Sequence, residues 1–518
     1  MRVLRLSHPP PTTASVILPP DAQPLLAVLL PHFTQPTAAR FVLLTAAALL
    51  TTGRRIAAHL LRTLGRLAPG HVTSYQRVLS TARWSGVELG CALARLILDR
   101  FLPDGPVHLV GDDTVESHPG RRVYGKGRHR DPVRSSRAFT AWRYGHKWVV
   151  IAVLVRVPFA SRPWALPVLA DLYRLPEVSR AEGRRHRTPA QLACRLLRLI
   201  LLRFPGRTFV FVGDSGYGTH EVVRFCHRHR DRLTLVSKCH PDVDLFAPPP
   251  PYRGNGRPPV KGRRLPKPRQ AVAGLCPTSR SRLTVAWYGG GTRRVAVVTG
   301  TGHWYKGGSG LVPLRWVFVE DRSGTHRDEY FLTTDVTLSP TQVIAAYSGR
   351  WNLETTFQEC RSCLGLETTR GWCRPTVLRA APCPSACTPS SPSCSTPSPR
   401  GSEPEPCGGR ARRPSPSPTP SPPSVGASGM TAFSHRPERT RPSQNFLPTC
   451  GNSYYQLSPR PREPHKSSSE LRMTPSYPER NAIKLAQSWL VSFADVRRRF
   501  LSEAGEKPVP TPTDMVNK

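Results

Sequence analysis

The sequence predicts an α/β fold: a mixed sheet flanked by helices, with a helical region before it and a β-rich insertion within it. Three observations predict it. From about residue 105, apolar runs of strand length alternate with amphipathic helical patterns. Residues 22–103 instead repeat apolar side chains at three- and four-residue steps. Short strand-like segments with Gly-rich turns then fill 281–320, ahead of one more long helical pattern.

The elements follow in order. Residues 1–20 are Pro/Thr-rich and read as loose chain. Leu43, Leu44, Ala47, Leu50 and then Leu60, Leu61, Leu64 give the helical period. Phe41–Leu50 is apolar but too short to span a bilayer, so it reads as a buried helix and no membrane span is expected. Ser74–Leu79 with Arg83, Trp84 and Ser85 reads as a turn between basic helices, either a DNA-reading module or a core-forming bundle with a basic outer face. Val107–Gly111 is a strand that ends at Asp112-Asp113-Thr114. Trp148–Val157 is a Val/Ile-rich strand, apolar but for Arg156, the composition of one buried on both faces. Trp164–Leu169 is another strand, 189–204 a helix with an Arg-bearing outer face, and Phe209–Val212 a strand ending in Gly213-Asp214-Ser-Gly-Tyr217. A helix at Thr219–Arg230 and a strand at Leu233–Ser237 follow. Residues 245–272 are basic and proline-rich, which argues against regular structure. Strands are expected at 281–288, 294–300 and 314–320, a return to the core at Phe331–Asp335, and a long helical element over Ser339–Gly365.

At 518 residues the chain has room for two or three domains. Its net charge of +40 arises from 74 Lys+Arg against 34 Asp+Glu and spans most of its length. Charge of that size repels itself in a compact fold unless a polyanion is bound, and nucleic acid is the obvious polyanion. The 13 cysteines have no framework spacing, and Cys360-x-x-Cys363 lacks a second pair, so neither disulfides nor zinc is expected. Scattered cysteines without a secretory signal fit a reducing cytoplasm.

From about residue 383 the pattern collapses. Residues 384–430 hold 13 Pro and 12 Ser and no apolar period. Nothing in the stretch repeats, and it reads as a GC-rich gene translated in the wrong frame; resequencing, or a one-base shift that restores a helical pattern, decides this. A terminal helix is expected at 478–505.

The chemistry concentrates on acids. In-line attack on a phosphodiester needs an activated oxygen nucleophile and charge stabilisation on the leaving oxygen, which two hard cations supply. Such cations take carboxylate oxygens. Asp112 (with Asp113 as the alternative), Asp214 and Glu354 are three acids brought from distant positions. Tyr347, Arg350, Glu354 and Arg361 stand three, four and seven residues apart, a spacing that puts them on one helix face.

With those residues in place, the chain resembles bacterial insertion-sequence transposases of the DDE superfamily, in the group whose glutamate helix carries a Y-(2)-R-(3)-E-(6)-K signature. Here it reads Tyr347, Arg350, Glu354 and Arg361, with Arg where the group has Lys. Asp112-Asp113-Thr114 matches the D-x-T form of the first motif, which favours Asp112, and Gly213–Tyr217 matches the second. The resemblance covers about residues 25–382.

The resemblance implies a ribonuclease-H-like core with a β-rich insertion in the 140 residues between Asp214 and Glu354. It implies Asp112, Asp214 and Glu354 as catalytic metal ligands for two Mg²⁺ ions, with Mn²⁺ as a substitute. Tyr347, Arg350 and Arg361 would contact DNA phosphates. Trp287, Trp304 or Trp316 would stack on a flipped base, unless they are core residues. His118, Lys126, His146 and Lys147 would line a DNA channel or form a solvated basic face. The partners implied are double-stranded DNA, as transposon ends and target, and a second copy in a homodimer on DNA, in a nucleoid-associated cytoplasmic setting. The domain division is a loose N-terminus (1–21), a helical DNA-contacting region (22–104), and a first core part (105–244). A basic loop and insertion (245–326), a second core part (327–382), the Pro/Ser-rich stretch (383–477) and the terminal helix (478–505) follow.

The leading reading is metal-dependent cleavage of transposon ends with strand transfer. The alternatives are an inactive DNA-binding relic and a Mg²⁺-dependent nuclease without strand transfer. The ordered apolar runs up to about 380 exclude a basic disordered RNA-binding protein.

Overall fold

Strand β1, Val107–Ser117, carries the first pair of aspartates. The computed structural model describes residues 22–380, apart from 52, 132, 133, 137, 158, 159, 161, 253 and 255. The composition break and the terminal helix expected at 478–505 lie outside the described residues.

β1 does not stop at Gly111. It runs on through Asp112, Asp113, Thr114 and Val115, because β3 (Trp142–Val155) pairs with it antiparallel as far as Ser117↔Gly145. Thr114 and Val115 are β-branched, as strand interiors favour. The first aspartates are therefore mid-strand, not strand-end as the apolar run suggested. A short strand, β2 (Gly127–Arg130), extends the sheet beyond β3, and β4 (Trp164–Tyr173) also pairs with β3. On the other side of β1, β5 (Phe209–Gly213) and then β6 (Leu233–Lys238) run parallel to it. The order β4-β3-β1-β5-β6, with its antiparallel first three strands, is the ribonuclease-H-like arrangement.

The expected insertion supplies β7 (Leu245–Phe246), β8 (Ser281–Ala286), β9 (Thr292–Lys306) and β10 (Gly310–Asp321). They continue the same sheet, because β11 (Glu329–Thr333) joins β6 to β10. Within the proline-rich 245–272 stretch, Phe246 bridges to Arg264 and a short helix forms at Pro268–Ala273. This corrects the expectation of irregular chain there: Pro at the first turn suits a helix start, and Gln270 accepts from the Lys267 N–H.

Helices cover both sheet faces. On one side lie α1 (Gln23–Ala27), α2 (Gln35–Leu50), α3 (Ala57–Leu64), α4 (Val72–Ser80) and α5 (Gly86–Phe101). After α6 (Pro176–Ala181), the same side is completed by α7 (Pro189–Arg203) and α8 (His220–Arg228). Phe41, Leu44, Leu93 and Ile97 share one buried core with Val149, Ile151 and Phe211 of the sheet. The N-terminal helices are thus core-forming. Gly90 lets α5 approach β4: a Cβ there would lie 2.2 Å from the Val168 carbonyl oxygen. After α9, the Pro268–Ala273 helix, come α10 (Pro340–Gly349), α11 (Trp351–Cys363) and α12 (Arg374–Ala380). These last three cover the opposite face, where Val110, Val150, Val212, Ile344, Leu353 and Val377 pack together. Among the described residues no helix is long and apolar enough to cross a membrane.

Candidate active site

Strand pairing decides which acids face each other. In a ladder, directly opposed residues share a face and neighbours along a strand alternate. Asp112 is opposite Val150, which packs beneath the α10–α11 layer. Asp113 is opposite Val149, which belongs to the other core. Asp113 pairs there with Lys147, whose ammonium also lies 5.7 Å from the Tyr173 ring centroid. Asp112 thus stands on the glutamate-helix side, and Asp113 is engaged across the sheet.

Asp214 follows directly on β5, whose Gly213 is in register with Gly111 of β1. Its Oδ1 accepts from the Gly216 N–H at 2.8 Å, and its carbonyl accepts from Ser237 Oγ at 2.7 Å, which fixes the turn. Gly213 is required for close approach: a Cβ there would lie 2.6 Å from the Cβ of Tyr217. The Tyr217 hydroxyl is buried and has no hydrogen-bond partner among the described residues. Burial, then Asp113, Asp112 and Asp214, raise its pKa well above the phenol range.

Glu354 arrives on α11. α10 begins at a capping box, in which Ser339 and Gln342 satisfy each other's backbone N–H groups. The expected single helix is two. Arg350 sits at the joint, where Arg350 N–H bonds Tyr347 and Leu353 N–H bonds Arg350, both in the tighter i→i+3 pattern. Across that turn Tyr347 is buried and Glu354 is exposed, while Arg350 touches both. Tyr347 is 1% exposed and packs on Phe331, with ring centroids 4.5 Å apart. Its hydroxyl has no hydrogen-bond partner among the described residues, and Arg350 lies over its ring at 5.6 Å.

Arg350 ties the acids together. Nη1 donates to Asp112 Oδ2 at 2.6 Å and Nη2 to Glu354 Oε1 at 2.6 Å. One guanidinium therefore bridges the central-strand acid and the helix acid. Arg361, on the next turns, bonds Thr114 Oγ1 and also donates to Glu367 at 3.0 Å. Both arginines of the motif are directed at protein oxygens in this arrangement.

The electrostatics single out Asp112. Burial, with Asp214 and Asp113 nearby, raises its pKa to about 7 against the opposing pull of Arg350. Asp214 is raised too, by burial first and then by Asp113. The Arg350 pKa is raised as well: burial lowers it, but Asp112, Tyr347 and Glu354 strengthen its hold on its proton. The site is thus an excess of negative charge with one guanidinium in it.

Such a donor set fits a hard divalent cation: every donor is a carboxylate oxygen and the local charge is under-compensated. Among the described residues, no three His, Cys, Asp or Glu side chains converge on one point, since Arg350 stands between Asp112 and Glu354.

Other sequence candidates fall elsewhere. His118 and His146 are buried, with rings 5.5 Å apart, and burial takes the His146 pKa down to about 4. Lys126 donates to the Gly120 carbonyl at 2.7 Å. Trp287 and Trp316 are buried, and Trp304 is half-buried beside His220. Cys360 is buried and Cys363 exposed, both free thiols. Sequence reasoning missed a neighbouring set: Lys238 pairs with Glu329 at 2.6 Å, Glu329 accepts from Tyr288 at 3.2 Å, and Lys238 lies 5.8 Å from the Tyr347 ring. The β6–β11 pairing brings Lys238 to Glu329, and Tyr288 comes from the turn between β8 and β9, so no local signal announces it.

A mixed α/β sheet with helices on both faces, carrying acids on adjacent strands that a helix acid faces, defines the class of fold. Within that class, the chain belongs to the family described as DDE superfamily endonuclease, whose match runs over residues 28–294. That span includes Asp112 and Asp214 and ends before Glu354. No curated protein matches the chain. Among solved structures it is similar to the piggyBac transposase in its synaptic complex with hairpin DNA, at 12% identity and a TM-score of 0.34. The alignment covers 68% of this chain and 63% of that one.

Proposed function

We propose that this chain is a DNA transposase of the insertion-sequence kind, which cuts phosphodiester bonds at transposon ends and joins the ends to target DNA. The supporting observation is that Asp112 lies beside Asp214 on neighbouring parallel strands and is tied to Glu354 through one guanidinium. Asp112, Asp214 and Glu354 would hold the cations. Mg²⁺ or Mn²⁺ bound there would lower the pKa of the attacking water or hydroxyl and stabilise charge on the leaving oxygen. Arg350 orients Asp112 and Glu354, and Arg361 braces β1 through Thr114. The basic surface supplies the phosphate contacts, with the net charge of +40 behind it. Residues from about 383 onward we read as a foreign frame on composition alone.

Purified full-length protein with Mg²⁺ and labelled element ends is expected to nick or cut the ends and then join them to a second duplex. Binding without cutting would instead indicate an inactive relic. Cutting without end preference or joining would indicate a plain nuclease.

A further inference from the structure

The face of β3 that carries Asp112's partner does not end at the acids. Val150, Trp148, His146, Tyr144 and Trp142 alternate along β3 and so share that face. Covering chain buries it as far as His146. Beyond that point the two aromatic side chains emerge, Tyr144 58% and Trp142 49% exposed. On the neighbouring strand Arg128 is opposite Tyr144 and Arg130 is opposite Trp142, so both arginines lie on the same face, and both are exposed. The Arg128 guanidinium lies 4.3 Å from the Trp142 ring centroid. The opposite face of the hairpin does the packing: His129 and Gly145 are buried, and Arg143 pairs with Asp131.

The local charge is one-sided. Between Pro119 and Trp148 the chain carries seven Arg and two Lys against the single acid Asp131. Two large rings left in water beside two guanidinium groups make no use of the core. Ring faces with interleaved cations are the chemistry that takes unpaired bases and their phosphates. Bases stacked within a duplex have no face to offer these rings.

We propose that the Arg128–Arg130–Trp142–Tyr144 face is a stacking platform for single-stranded DNA. The inference rests on the reading above for the identity of the strand. From Val150, beside Asp112, to Tyr144 and Trp142 is six and eight residues along β3. At about 3.3 Å per residue that is about 20–26 Å, the length of about six to eight stacked nucleotides. A strand unpaired near the acids could therefore span that distance to the platform, passing outside the chain that covers Trp148 and His146.

The test uses the full chain and two probes, a twelve-nucleotide oligo-dT strand and a blunt duplex, at one fixed salt concentration. Wild-type protein is expected to cross-link a 5-iodouracil-substituted strand at Trp142 or Tyr144, located by peptide mass spectrometry. Trp142→Ala with Tyr144→Ala should lower single-strand affinity relative to duplex affinity by about tenfold or more. Trp142→Phe, which keeps a ring, should retain most of it. Cross-links elsewhere, or an equal loss for strand and duplex, would overturn the platform. The wild-type cross-link decides even if the double variant does not fold. It is also independent of cutting: cross-linking at Trp142 without any cleavage keeps the platform and removes the transposase reading.

Discussion

Asp214→Asn is expected to slow DNA cutting by roughly a thousandfold or more, since a lost cation ligand forfeits several kcal/mol of transition-state stabilisation. DNA binding should persist with its salt dependence intact, because that comes from the basic surface. The fold should persist as well, because an amide oxygen still accepts from Gly216. The substitution has a second expected effect. Burial and then Asp113 raise the Asp214 pKa, so its charge opposes folding in metal-free buffer. The sign follows: the folded state holds this proton more tightly than the unfolded chain does. The cost is absent well below the ordinary carboxylate range and grows as pH rises through and above it. At pH 8 with chelator present, Asp214→Asn should therefore melt higher than wild type. Cutting at the wild-type rate would remove Asp214 from the site, and a lower melting temperature would contradict the charge account.

Arg350→Ala is the second large effect. The Arg350 and Asp112 side chains are 11% and 14% exposed, so their link is mostly shielded from water. Removing the guanidinium leaves Asp112 beside Asp214 and Asp113 without a cation, a change that costs about 3 kcal/mol when a buried pair is broken. Glu354 loses its partner in the same step. Arg350→Lys should recover only part, since a single ammonium nitrogen lacks the two separated donor nitrogens by which the guanidinium reaches both carboxylates. Asp112→Asn combined with Arg350→Ala should cost less than Arg350→Ala alone, because the unpaired charge is gone. Urea unfolding in chelator measures all of these. A loss below about 0.5 kcal/mol for Arg350→Ala would show that the bridge does not hold the two acids.

What the sequence made legible divides along local and non-local lines. The apolar run before Asp214 and the alternation of strands with helices followed from periodicity, and the strand order agrees with the one the motif resemblance implied. The D-x-T pattern favours Asp112 over Asp113, and the ladder puts Asp112 on the Glu354 side for an independent reason, the register with Val150. β1 outruns its apolar stretch because its continuation depends on a partner strand some thirty residues away. The helix break at Arg350 was invisible, since helical spacing alone cannot distinguish an i→i+4 turn from an i→i+3 one. That break explains why Tyr347 is packed inward while the Glu354 side chain stays 46% exposed. The continuation of the sheet into β9 and β10, and the Lys238–Glu329–Tyr288 set, needed long-range pairing that no local pattern encodes.

The measurement that bears most directly on the carboxylate site is oxidative mapping with Fe²⁺ in place of Mg²⁺. Iron bound with ascorbate and peroxide cuts the polypeptide nearest to it, and needs no DNA and no turnover. The expected fragments end near Asp112, Asp214 and Glu354 together, and excess Mg²⁺ suppresses all three. Cuts confined to one of these positions, cuts elsewhere, or cutting that Mg²⁺ does not compete would contradict a shared cation site.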